Sequence, residues 1–132
     1  MKVEDVYTCL SDPVRMRIVN LLADGPLCGC MIKEIVGVCQ VKVSKQLAYL
    51  KKLGAVNSRR EANWVVYFLS EPVSPILAGN LWLLREDMGG KSVFVADLEK
   101  RKGLMERFAK GEKEAPPPVK RHCCMGRLIG GR

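Results

Sequence analysis

Histidine is nearly absent: the 132-residue chain has one, His122. Sites that depend on imidazole, whether for acid–base catalysis or for zinc, are thereby confined to one position near the C-terminal end. Cys-x-x-Cys is missing too, which removes the usual signature of a thiol oxidoreductase. A small thiol enzyme would need an acid or base beside its nucleophile, and no histidine lies near the thiols of the first forty residues; no enzyme is expected. Long hydrophobic runs are also lacking. The most apolar stretch, "VVYFLSEPVSPILAGNLWLL", is broken by Glu71, Pro72 and Pro75, whereas a membrane span needs ~20 mostly apolar residues. No basic-then-apolar leader opens the sequence. The expectation is a cytoplasmic protein with no membrane partner.

What is present suits one small soluble fold. Hydrophobic residues make up 48% and charged residues 27%, enough for a single core. The net charge of +8 makes an anionic partner plausible. It is unevenly spread. Residues 1–90 carry 11 Lys and Arg against 9 Asp and Glu, and residues 91–132 carry 11 against 5. Within the first part the positive charge is local. From Gln40 to Trp64 stand Lys42, Lys45, Lys51, Lys52, Arg59 and Arg60 against the single acid Glu61.

Hydrophobic spacing divides the chain. Val3, Val6, Tyr7 and Leu10 predict a short amphipathic helix. Ser11 or Asp12 can cap a second helix beginning at Pro13, with Val14, Ile18, Leu21 and Leu22 as its apolar stripe and Gly25-Pro26 as its stop. Ile32, Ile35 and Val36 mark a third helix ending at Gly37. Val43, Leu47 and Leu50 line a fourth, closed by Gly54. The period then changes: "AVNSRREANWVVYFL" reads as a β-hairpin turning at "EAN". Helical spacing returns from Pro75 through Leu77, Leu81, Leu84 and Met88 to Gly89-Gly90. Trp82 and Leu83 widen that face, as a helix from a second subunit would require. Beyond residue 90 the packing signal weakens. "ADLEKRKGLMERFAK" reads as a charged helix, and "GEKEAPPPVKRHCCMGRLIGGR" as a mobile segment rich in Pro, Gly and charge. Residues 1–90 are thus expected to form the folded domain and 91–132 a basic, partly disordered tail.

Two short helices, a turn, a longer helix and a hairpin make a mainly α winged helix-turn-helix. The outer face of the fourth helix offers Gln40, Lys42, Ser44, Lys45, Gln46 and Tyr49. These side chains can donate to phosphates, and Gln pairs well with adenine edges. A merely solvated helix would mix in glutamate, but Gln40 to Lys52 contains no acid. Double-stranded DNA is therefore the expected partner. Arg59, Arg60 and Asn63 at the hairpin tip are placed to reach the adjacent minor groove or backbone. Trp64 and Tyr67 read as core.

With these residues in view, the chain resembles the ArsR/SmtB family of winged-helix metalloregulators, in particular its arsenic-sensing repressors. The resemblance rests on four pieces in order, "LSDPVRMRIVNLL", "LCGCMI", "KVSKQLAYLKKLGAV" and "NWVVYFLS", over residues 3 to 88. It implies a homodimer that represses its own resistance operon and leaves DNA when a metal or metalloid binds. The family's Cys-x-Cys at the start of the third helix falls on Cys28 and Cys30. The third cysteine of many arsenite sensors would stand at residue 33, which here is lysine. The zinc site that other members build on the last helix needs histidine, which "PVSPILAGNLWLLREDM" lacks.

Six cysteines are many for a reducing compartment, where a structural disulfide is the least favoured use. Trivalent arsenic and antimony are soft and prefer thiolate sulfur. A helix start favours the thiolate, so Cys28 and Cys30 are expected at lowered pKa, with Gly29 letting the backbone bend to bring both sulfurs together. Two thiolates suffice for a methylated trivalent arsenical; arsenite takes three. Cys123 and Cys124, on a tail with ample reach, are the first candidates to complete the set. Cys39 is ~10 Å from Cys30 along a helix, and Cys9 reads as a packed thiol. Cadmium or lead could use the same sulfurs, and a zinc site at His122, Cys123 and Cys124 would be short of ligands. The competing reading is a redox regulator of the same fold, disfavoured at Cys28 and Cys30 because a one-residue spacer strains a disulfide.

Overall fold

Asp12 begins the helix around which the other elements gather. In the computed structural model, which describes residues 1–87 and 92–109, its carboxylate accepts from the amides of Val14 and Arg15 at 2.9 and 3.0 Å. Pro13 fills the first helical position, where no N–H is needed. Before it lies helix α1 (Val3–Cys9); the capped helix is α2 (Pro13–Ala23). From Ile18 to Ala23 every residue of α2 is buried. An expected one-sided stripe has become, in the second half of the helix, burial on every side.

A short strand β1 (Leu27–Cys28) follows, then α3 (Gly29–Val36), α4 (Gln40–Lys52), β2 (Val56–Glu61), β3 (Trp64–Leu69), α5 (Pro75–Asp87) and α6 (Val93–Ala109). Gly37 and Gly54 end α3 and α4 with φ of 73° and 83°, a left-handed conformation open to glycine at little cost. The strands form an antiparallel sheet in the order β1-β3-β2. Val56 faces Leu69 at one end of the hairpin and Glu61 faces Trp64 at the other. Ala62 and Asn63 make the tip, with Ala62 at φ 53°. The hairpin was expected and β1 was not: two residues are too few to show a period. β1 sets Leu27 opposite Tyr67 and Cys28 opposite Val66.

The core joins α2 to the inner faces of α3, α4 and α5 through Ile18, Leu22, Ile32, Val43, Leu50 and Leu81. Val43, Leu47 and Leu50 are the buried residues of α4, as its spacing predicts. Among the described residues no helix is long and apolar enough to cross a membrane.

The expected division at residue 90 needs correction. α6 packs against α2, α3 and α5. Asp97 is fully buried and takes a bidentate pair from Arg17, both contacts 2.8 Å. Arg101 donates to the carbonyls of Asp24 and Gly25, and Leu104 is buried. The run of charged residues in α6 hid this, because much of its attachment is polar. Met88, Gly89, Gly90 and residues 110–132, with His122, Cys123 and Cys124, lie outside the described residues.

Removing one partner of a buried ion pair strands the other. Asp97→Ala should therefore cost about 3–5 kcal/mol, read as a lower urea midpoint. A loss below ~1 kcal/mol would mean that α6 is not anchored through this pair.

Candidate functional site

Helix α4 and the thiol pair are built by consecutive elements. Cys28 ends β1 and is the residue before the first turn of α3. Its place in the ladder turns it into the core, where it is buried, while Cys30, one step into the helix, is exposed. Gly29 between them takes ordinary helical backbone, since the positive φ values fall on Gly25, Gly37 and Gly54. The expectation that Gly29 supplies a bend is corrected. What meets it is the Tyr67 ring, 3.4 Å from where a Cβ would stand.

The expected thiolate at Cys28 is also corrected. Burial pushes its pKa from the ordinary 9.0 up to about 12, and a hydrogen bond with the Cys30 thiol adds to the rise. The amides of Met31 and Cys30 act in the opposite direction, without forming a capping hydrogen bond. Desolvation outweighs the helix start, so Cys28 is a protonated thiol at neutral pH. Cys9, at the end of α1, is likewise buried and raised by desolvation. Cys39 is exposed just before α4. Among the described residues no three His, Cys, Asp or Glu side chains come together to hold a metal ion. The donors at hand are two adjacent sulfurs, one open to solvent, which suits a soft thiophilic ligand better than a hard cation.

On α4, Gln40, Lys42, Ser44, Lys45 and Tyr49 are exposed. The Gln40 amide donates to the Ser44 hydroxyl at 3.0 Å. Gln46 stands apart. It is half-buried, and its side-chain oxygen accepts from Arg15 at 2.9 Å. The same guanidinium donates to the Thr8 carbonyl and the Ser11 hydroxyl and lies 4.7 Å from the Tyr49 ring centre. Arg15 thus ties the end of α1 and the start of α2 to the middle of α4. The amphipathic reading of α2 missed it, since an arginine beside an apolar stripe carries no sign of where it points.

In the wing Arg59 pairs with Glu61 at 3.2 Å and lies over Phe68, while Arg60 and Asn63 are exposed. Lys51 donates to Ser58 at 2.8 Å, fastening the end of α4 to β2. Trp64 and Tyr67 pack against the core, as expected.

The two thiols should react very differently. A group held neutral by burial stabilises the fold fully below pH 9.0, and that contribution disappears as pH rises toward about 12. Iodoacetamide at pH 8 should label Cys30 first, by peptide mass mapping, and Cys28 only slowly. Labelling of Cys28 should quicken toward pH 12 or on unfolding. Equal rates at pH 8 would contradict the burial.

Comparison with known proteins agrees with this construction. Residues 12–58 match the family model described as bacterial regulatory protein, arsR family. The arsenic resistance transcriptional regulator ArsR1 of Pseudomonas putida strain KT2440 is 38% identical over 69 residues, 52% of this chain and 54% of that protein. The chain thus spans about half the length of that relative. An uncharacterized HTH-type transcriptional regulator of Methanocaldococcus jannaschii is 35% identical over 69 residues, again 52% of this chain but 78% of its own length. A homodimeric winged helix-turn-helix DNA-binding domain from Mycobacterium bovis superposes with a TM-score of 0.53 at 26% identity, covering 67% of this chain and 80% of that one. The matched segment runs from the Asp12 cap through α2, α3 and α4 to the start of β2, and the chain belongs to the arsR family of bacterial regulatory proteins.

Proposed function

We propose that this protein is a metalloid-responsive transcriptional repressor. It binds operator DNA as a homodimer through α4 and the wing, and leaves when Cys28 and Cys30 take up trivalent arsenic or antimony. One observation carries the reading: the helix that begins at the thiol pair packs directly against the acid-free helix that presents Gln40, Lys42, Ser44 and Lys45. The likeness to an arsenic resistance regulator supports the choice of ligand.

A second copy is needed to place two reading helices about 34–36 Å apart in successive major grooves. Tyr7 on α1 and Leu83 on α5 are 52% and 57% exposed. They border a cleft of about 560 Å³ that Leu10, Met16 and Leu84 also line. A partner's α1 and α5 would cover this apolar surface.

Cys30 offers the first sulfur, being exposed. Its thiol proton leaves with a hydroxyl of the arsenous acid as water when the sulfur–arsenic bond forms. Cys28, already hydrogen-bonded to Cys30, exchanges in the same way, and the ligand then draws it from its buried place opposite Val66. That step loosens β1 and shifts α3 against α4. A coupling of ~1–3 kcal/mol weakens DNA binding about five- to 150-fold, enough for a switch. Cys123 or Cys124 completes a three-sulfur set where the ligand demands it.

Arsenite added to a protein–operator complex should release wild type. A Cys28→Ser, Cys30→Ser double variant should stay bound, measured by fluorescence anisotropy. Release of the double variant at the same arsenite concentration would sink the assignment; release of wild type by peroxide alone would favour the redox alternative. The reading helix has its own test. Lys42→Ala and Lys45→Ala should each weaken binding across all sequences and lower the slope of log K against log salt by about 1. An unchanged slope in both would remove α4 from the DNA.

A further inference from the structure

Val41 is 77% exposed, the most exposed of the large apolar side chains among the described residues. It is the second residue of α4, a place where local physics asks for something else. A β-branched residue lowers helix propensity. The free N–H groups of a first turn favour an acid. Nothing in the core explains it either, since the buried residues of α4 are Val43, Leu47 and Leu50 on the other side.

Its neighbours define what it could meet. One residue before, Gln40 is steadied by its bond to Ser44. One turn and two turns further along the helix, Lys45 and Ala48 are exposed beside it. Val41 and Ala48 therefore give this face small and apolar ground, with Lys45 beside them and Lys42 further round able to reach phosphates. A face so arranged can approach the floor of a groove closely. The only apolar group that a base edge presents in the major groove is the 5-methyl of thymine.

We infer that Val41 is a specificity-determining residue that selects thymine at one position of each half-site by packing on its methyl group. Gln40 is placed to read the edge of the neighbouring base pair. The inference rests on the DNA-binding reading proposed above and adds to it the base, the contact and the side chain responsible.

Deoxyuridine removes the methyl and keeps every hydrogen-bonding group, so it isolates this contact. Binding sites are first selected from randomised duplexes with the full chain. Affinity is then measured on the selected site and on versions with each thymine replaced in turn by deoxyuridine. Wild type should lose about fourfold in affinity per half-site at one thymine, the equivalent of one buried methylene group. Val41→Ala should bring the two affinities together at that position. The variant lies on an exposed helix face and should fold as wild type does, checked by circular dichroism. Equal binding of thymine and deoxyuridine everywhere overturns the inference alone, and so does a methyl sensitivity that Val41→Ala leaves intact. Failure to select any sequence overturns the DNA-binding reading together with it.

Discussion

Asn20 is a polar side chain with no exposure, set in the most buried stretch of α2. A buried amide must be satisfied or it costs about 1–3 kcal/mol. Here its partners come from the elements that close the fold. Its oxygen accepts from Arg85 of α5 at 2.7 Å, and its nitrogen donates to the carbonyl of Phe94 in α6 at 3.1 Å. Arg85 also holds the Asn20 carbonyl and the Asp24 carboxylate. The same end of α2 is gripped by Arg101 at the carbonyls of Asp24 and Gly25. Three residues further on stands Cys28. The thiol pair therefore grows out of an end of α2 that both α5 and α6 hold, and in the proposed switch strain put on it falls first on β1 and α3.

That asymmetry gives the proposed switch its direction. Upstream of Cys28 the backbone is latched by side-chain hydrogen bonds from α5 and α6; downstream, α3 packs on α4 and α6 with Met31, Ile32, Ile35 and Val36 buried and is eight residues long, or ~12 Å. A short helix of this length moves nearly as a rigid body, and its far end leads through Gly37 to the first turn of α4. Arg15 restrains the middle of α4 through Gln46 and Tyr49, and Lys51 restrains its end through Ser58. The first turn, with Gln40 and Val41, is the part least tied by side chains among the described contacts. A displacement of α3 would accordingly be felt first where bases would be read.

Much of this order was legible in the residues alone. Asp12-Pro13, Gly37 and Gly54 are local signals, each acting within a few residues, and the helices they bound appeared where they should. The hairpin showed itself because Val, Trp, Tyr and Phe cluster around a turn. What stayed hidden was non-local. β1 is two residues long and exists only because Val66 and Tyr67 lie beside it. The attachment of α6 uses Asp97 and Arg101, residues that composition assigns to solvent. Arg15 and Gln46 are 31 residues apart, beyond the reach of any helical period. At the thiols the helix start lies where the sequence placed it, but the protonation differs. A helix start does favour a thiolate, yet that effect is local, while the burial that defeats it is a property of the assembled core.

The protonated state of Cys28 bears on how such a site can signal at all. Two free surface thiolates would bind a thiophilic ligand tightly, but with no difference between conformations, and equal affinity for two states shifts neither. A pair with one exposed and one buried sulfur is different. Cys30 can engage in the resting fold. In the proposed switch the second bond draws Cys28 out of its buried place, and ligand affinity is then tied to the altered conformation. What holds Cys28 in place is one small buried side chain, at about 0.8 kcal/mol per buried methylene, and two residues of strand pairing. A sulfur–metalloid bond formed in exchange for a hydroxide can readily exceed that.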